Sequence, residues 1–204
     1  KKEIINESDD HSNTTTKIEI EPIILEENNL EILYVVHLSD IHIKKCDKSE
    51  EYKGVFNNLF ENLKSKNLNK NNSVIVVCGD ILHDTVFLHA NSVNLCKEFF
   101  FGLTQITSVI CFIGNHEFNR NNIESNNLAS IIKKYFATNN KIYLLEKTGL
   151  YVYNNLIFGY THVDCKDIIK CNVSGENLRK TKIGLYHGMV ITVFNETFVL
   201  HFLF

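Results

Sequence analysis

The sequence predicts a layered α/β domain, and three patterns carry the prediction. Short runs of β-branched and aromatic residues end abruptly in polar turns, as in EILYVVHLSD (31–40), SVIVVCGD (73–80) and SVICFIG (108–114). Between these runs lie stretches with apolar residues at helical spacing, and strands joined by helical crossovers pair in parallel. After Lys141 the helices thin out and strand-like runs follow one another closely, which predicts a change in sheet arrangement there.

Each element follows from its local chemistry. Residues 1–29 are rich in Lys, Glu, Asp, Asn and Thr. The alternating KIEIEPIIL within them has the pattern of a short strand without the mass to bury itself, so this region is expected to be a polar tail or edge element, with the domain proper spanning 30–204. EILYVVHLSD reads as a buried strand. Tyr52, Val55, Phe56, Leu59, Phe60 and Leu63 then mark a helix, with Ser49 placed to cap it and acids in its first turn. SVIVVCGD is the second strand. Val93, Cys96, Phe99, Phe100 and Leu103 mark a second helix, SVICFIG is the third strand, and Leu128, Ile131, Ile132, Tyr135 and Phe136 mark a third helix. Strands are expected around KIYLLEK, LYVYNN, LIFGYTH and KIGLYHG.

Composition narrows the function classes. The chain has 204 residues, of which 44% are hydrophobic, enough for one substantial core. The net charge is −3 and the pI about 6.3, so no global positive field favours nucleic acid or an anionic membrane, and any phosphate recognition must be local. The six cysteines form no CxxC pair and several lie inside apolar runs, which points to an intracellular, reducing compartment. No run is long and apolar enough to read as a transmembrane helix or signal peptide.

The informative residues fall where the predicted strands end. In open α/β sheets, ligand sites form just beyond the carboxyl ends of the strands. The first strand delivers Asp40 and His42, the second Asp80, the third Asn115 and His116, and KIGLYHG delivers His187. Taken singly these have ordinary readings: Asp40 as a turn cap, Gly79-Asp80 as a turn, His187 as a satisfied histidine at a strand end. Gly114-Asn115-His116-Glu117 is harder to explain as a turn, and four coincident polar strand ends point to one shared site. Carboxylates, an amide oxygen and imidazoles without thiolates suit Mn²⁺, Fe or Zn²⁺. Two such ions would supply the local positive charge that the composition lacks.

DIH, GDILH, GNHE and YHG, in this order and separated by helices, resemble the calcineurin-like metallophosphoesterases, over about Leu33 to Met189. The wording LSDIHI, VVCGDILH and FIGNHE is most similar to the DNA-repair exonuclease branch and to related phage and large-virus phosphoesterases. The resemblance implies a sandwich of mixed β-sheets flanked by helices, and a dinuclear centre, Mn²⁺ first, that activates a hydroxide to attack a phosphoester. Asp40 and His42 would bind one ion, Asp80 would bridge both, and Asn115 and His187 would bind the second, while His116 would act on the leaving oxygen. Glu117 would either orient His116 or face solvent as a plain acid. His83 would take a supporting or a structural role, Arg120 would be a solvated loop arginine or hold a non-scissile phosphate, and His162 and Asp164 would be ordinary loop residues or border the cleft.

The implied reaction is hydrolysis of a phosphodiester, with DNA as the leading substrate. The alternatives are a phosphomonoesterase or a catalytically incomplete binding protein. A homodimer or an ATPase partner is implied by resemblance alone. The family's closing Gly-His-x-His does not occur in these 204 residues. The chain also opens on Lys1 and closes on VLHFLF, so the expectation is a fragment, or a frame change after about Met189, with the last strands of the sandwich missing.

Overall fold

The computed structural model describes residues 21–44, 48–83, 89–118, 128–136, 138 and 141–188. Among the described residues, eight strands form two four-stranded sheets, and three α-helices pack on one outer face. The first sheet has the order β2-β3-β4-β5, with β2 Tyr34–Leu38, β3 Ser73–Cys78, β4 Ser108–Phe112 and β5 Ile142–Leu144, all parallel. Its crossovers contain α1 Ser49–Ser65, α2 Ala90–Thr104 and α3 Leu128–Phe136, as the apolar spacing predicted.

The second sheet has the order β1-β6-β7-β8 and is mixed. Here β6 Gly149–Tyr153 and β7 Leu156–Thr161 form an antiparallel hairpin, while β1 Ile23–Glu26 runs parallel to β6 and β8 Thr181–Tyr186 parallel to β7. The change of arrangement expected after Lys141 is this hairpin, although β5 still closes the first sheet. The stretch Ile23–Glu26 of the polar N-terminal region is an edge strand, and the Tyr143 hydroxyl donates to Glu26 Oε2 at 2.6 Å, tying that edge to β5 of the other sheet.

The period-2 alternation of the central strands builds both cores. Ile75 and Val77 of β3 and Val109 and Cys111 of β4 face Phe56, Leu95, Phe99, Phe100, Leu103, Ile131 and Ile132 of the helices. Val74, Val76, Cys78, Ile110 and Phe112 face the second sheet, meeting Tyr151, Tyr153, Phe158, Tyr160 and Leu185. β3 and β4 are buried throughout, which is why they read as continuous apolar runs.

Two local expectations are corrected. EILYVVHLSD is not a buried strand: β2 is the edge of its sheet, and Tyr34 and Val35 are exposed because no strand among the described residues lies outside them. Ser49 does not cap α1; Lys48 holds the cap position without a side-chain capping hydrogen bond, and Ser49 is the first helical residue. No helix among the described residues is long and apolar enough to cross a membrane. The segment after Gly188, including His201, lies outside the described residues.

Candidate metal centre

Three parallel strands in register place their carboxyl ends at one edge, and the loops leaving β2, β3 and β4 all open there. Ser39 to His42 follow β2, Gly79 and Asp80 follow β3, and Ile113 to Glu117 follow β4, while β8 brings His187 from the second sheet. The chain turns sharply at these points. Asp40, His42 and Asp80 have φ of 57°, 49° and 52°, and the remaining non-glycine residues in this left-handed region among those described, Asn29, Asn67 and Asn154, are all asparagines. Asparagine, aspartate and histidine are the non-glycine types found there most often, and the backbone cost that any non-glycine residue carries in that region concentrates at functional sites.

Close backbone approach adds a second constraint. Gly79 has φ of 79°, and a Cβ on it would fall 2.5 Å from the Gly114 amide nitrogen. A Cβ on Gly114 would lie 2.1 Å from Asp80 Oδ1. The two glycines let the loops after β3 and β4 touch, and that contact sets the Asp80 carboxylate against the GNHE turn.

Asp80 is the centre of the arrangement. It is 3% exposed, and its Oδ2 lies 3.2 Å from His187 Nε2 and 3.8 Å from both His42 Nε2 and His116 Nε2. Its Oδ1 accepts the His116 backbone N–H at 3.0 Å. Asp40 Oδ1 stands 3.5 Å from His42 Nε2, and the Ser39 hydroxyl bonds the other Asp40 oxygen. His187 Nε2 meets Asn115 Oδ1 at 2.9 Å, and His187 Nδ1 donates to the Cys78 carbonyl at 2.7 Å. The structure thus brings together all six residues singled out from the sequence.

Electrostatics follow from this geometry. Burial would raise the Asp80 carboxyl, but its hydrogen bond to His187, the His116 amide and the charges of both imidazoles hold it below the usual carboxylate range. Burial would lower His187, yet the hydrogen bond and charge of Asp80 prevail and raise it. Both nitrogens of His187 face acceptors, Cys78 carbonyl on one side and Asp80 and Asn115 on the other, which suits an imidazolium. A cation taking the Nε2 position would replace that proton.

The donor set fits divalent ions. Ligand atoms of Asp40, Asp80 and His187 lie within 4.8 Å of one another, as do those of His42, His83 and His116. Carboxylate, amide oxygen and imidazole are the donors, and the Nδ1 bond to Cys78 orients His187 as ligating histidines are oriented by their second nitrogen. Burial pushes the thiols of Cys78, Cys96 and Cys111 far up, so they offer no thiolate to compete.

Glu117 departs from the expectation of a solvent-facing acid. It does not face solvent; it is fully buried, and its carboxylate accepts four backbone N–H groups. Oε2 takes those of Asp80 at 2.8 Å and Gly114 at 2.7 Å, and Oε1 those of Ile81 at 2.5 Å and Leu82 at 2.9 Å. Burial raises its carboxyl above the usual range, while the amides of Leu82, Gly114 and Asp80 pull it down. One side chain clasps both site loops. The tight turn after β3, with its amides turned away from the sheet ladder, was the available sign that an anion had to meet them.

His83 joins the site: its Nδ1 lies 3.4 Å from His42 Nδ1, its carbonyl faces His116 Nδ1 at 3.2 Å, and its ring stacks on that of His116 at 5.2 Å. His162 lies against Phe118, with ring centroids 5.2 Å apart. Asp84 and Arg120 lie outside the described residues.

Carboxylates and imidazoles gathered at the strand ends of a two-sheet α/β sandwich form a donor set that could hold divalent ions. The chain belongs to the calcineurin-like phosphoesterases, whose family profile matches residues 33–200. It is also similar to the "Uncharacterized protein R555" of Acanthamoeba polyphaga mimivirus, 35% identical over 175 residues, which are 81% of this chain. The match spans 13% of that relative's length.

Proposed function

We propose that this phosphoesterase hydrolyses phosphodiesters of DNA with two divalent ions, Mn²⁺ first. The carrying observation is the Asp80 carboxylate set among His42, His116 and His187, with Asp40 and Asn115 completing donors on either side. Asp40, His42 and Asp80 would hold one ion, and Asp80, Asn115 and His187 the other. Bound there, such ions supply Lewis-acid charge and lower the pKa of water toward neutrality.

The chain's own residues account for the rest. A diester releases an alkoxide, a poor leaving group that calls for a proton or a strong donor. His116 sits beside Asp80, its ring stacked on His83 and its Nδ1 held by the His83 carbonyl, leaving Nε2 directed to the centre. It is the group placed to stabilise the leaving oxygen, with His83 holding its ring. The resemblance to the DNA-repair exonuclease branch supports DNA as the polymer.

The test pairs metal stoichiometry with turnover. The chain should bind two Mn²⁺, Asp80→Ala should lose both, and bis(p-nitrophenyl) phosphate should be cleaved faster than p-nitrophenyl phosphate. Preference for the monoester would replace the diesterase reading by a phosphatase, and unchanged metal content in Asp80→Ala would refute the shared-ligand arrangement. Two bound ions without turnover of either ester would indicate a binding protein.

A further inference from the structure

We propose that Phe118 and His162 form an aromatic corner that receives the base of a nucleoside phosphoester beside the metal centre. The inference deepens the diesterase reading and rests on it for the placement of the phosphate. Parallel register pairs Thr161 of β7 with Tyr186 of β8, so His162 and His187 leave neighbouring strands side by side, about 4.8 Å apart in the pairing direction. His187 is the residue whose Nε2 lies 3.2 Å from Asp80. Phe118 comes from the other sheet, two residues beyond His116 and directly after the clasped Glu117. The two rings therefore meet across the rim of the site, nearly perpendicular at 83°.

The corner is built rather than incidental. The His162 amide donates to Thr148 Oγ1 at 2.9 Å, its Nδ1 accepts the Asp164 N–H at 3.2 Å, and the buried Tyr160 ring lies 6.3 Å beneath it. Accepting at Nδ1 leaves the proton on Nε2 in the neutral ring, and burial lowers the His162 pKa, favouring that neutral form. Phe118 is partly exposed and belongs to none of the three apolar clusters among the described residues, so the core does not account for it. The pair offers an aromatic surface and an N–H donor at right angles. A flat ring with acceptors on its edge matches both, and a nucleobase is such a group.

Titration calorimetry of the Mn²⁺-loaded full chain with thymidine 5′-monophosphate and with 2-deoxyribose 5-phosphate tests this. The nucleotide should bind about tenfold more tightly, the order of one base stacked on an aromatic ring. Phe118→Leu, which keeps apolar bulk without a ring, should remove that difference, and Phe118→Tyr should restore it. Equal affinities in the parent chain, or a Phe118→Leu variant that weakens both ligands alike, would overturn the corner. A parallel turnover assay compares thymidine 5′-(p-nitrophenyl) phosphate with methyl p-nitrophenyl phosphate, and the ratio of kcat/KM should fall about tenfold in Phe118→Leu. Cleavage of neither ester by the parent would overturn the diesterase reading, while the calorimetric difference would still decide the corner.

Discussion

Replacing Glu117 by Gln changes one oxygen to an NH₂ and little else. In the parent, Oε1 and Oε2 each accept two backbone N–H groups, at 2.5–2.9 Å. Whichever way the new amide turns, its nitrogen faces two of those donors and can accept from neither. Two hydrogen bonds to a charged acceptor are lost, each worth about 1.5–3 kcal/mol, for a total of about 3–6 kcal/mol. A domain's whole stability is about 5–15 kcal/mol, so the change removes a large share of it. At about 2.1 cal/mol/K per residue, unfolding of 204 residues carries roughly 0.4 kcal/mol/K, which turns the loss into a drop in Tm of about 7–14 °C. The assay is thermal unfolding with a chelator present, so that metal binding contributes nothing. A shift under about 2 °C would refute the clasp, because it would mean that Glu117 is already protonated and that Gln replaces it nearly isosterically.

Further outcomes follow from the same geometry. Gly114→Ala places a Cβ 2.1 Å from Asp80 Oδ1, so Asp80 must move; Mn²⁺ affinity should fall at least tenfold and stability by about 1–3 kcal/mol, read by calorimetry and denaturant unfolding. His116→Ala should keep both ions and lose about 10²- to 10⁴-fold in cleavage of a DNA oligonucleotide, with a much smaller loss on bis(p-nitrophenyl) phosphate, whose p-nitrophenolate leaves without a proton, whereas equal loss of metal would make His116 a ligand. Metal affinity should depend on pH in a definite direction. His187 holds its proton below a pKa raised above the ordinary histidine value, so Mn²⁺ must displace that proton, and affinity should weaken as pH falls, beginning above about 6.5. Asp80, held low, stays ionised through that range and contributes no second step; a pH-independent affinity between 6 and 8 would contradict the imidazolium.

Much of this molecule was legible in the order of its residues. Alternation of buried β runs with amphipathic helices defined the parallel sheet, because β3 and β4 are covered on both faces and leave an unbroken apolar signature. Asp40, His42, Asp80, Asn115, His116 and His187 could be assigned to one edge of the sheet because a polar residue at a strand's end follows directly from sequence position. What stayed hidden depends on contacts between distant segments. Strand order decides that β2 is an edge, although its residues alone read as buried. Glu117 reads either as a partner of His116 or as a surface acid until the loops after β3 and β4 close on each other, and only then do four amides converge on its carboxylate. His162 and Phe118 lie 44 residues apart in the chain and meet because β7 and β4 belong to sheets that pack face to face. Local pattern determines elements and the residues at their ends, since propensity and periodicity act over a few residues. Edges, clasps and cross-sheet pairs are set by packing, which no short stretch of sequence contains.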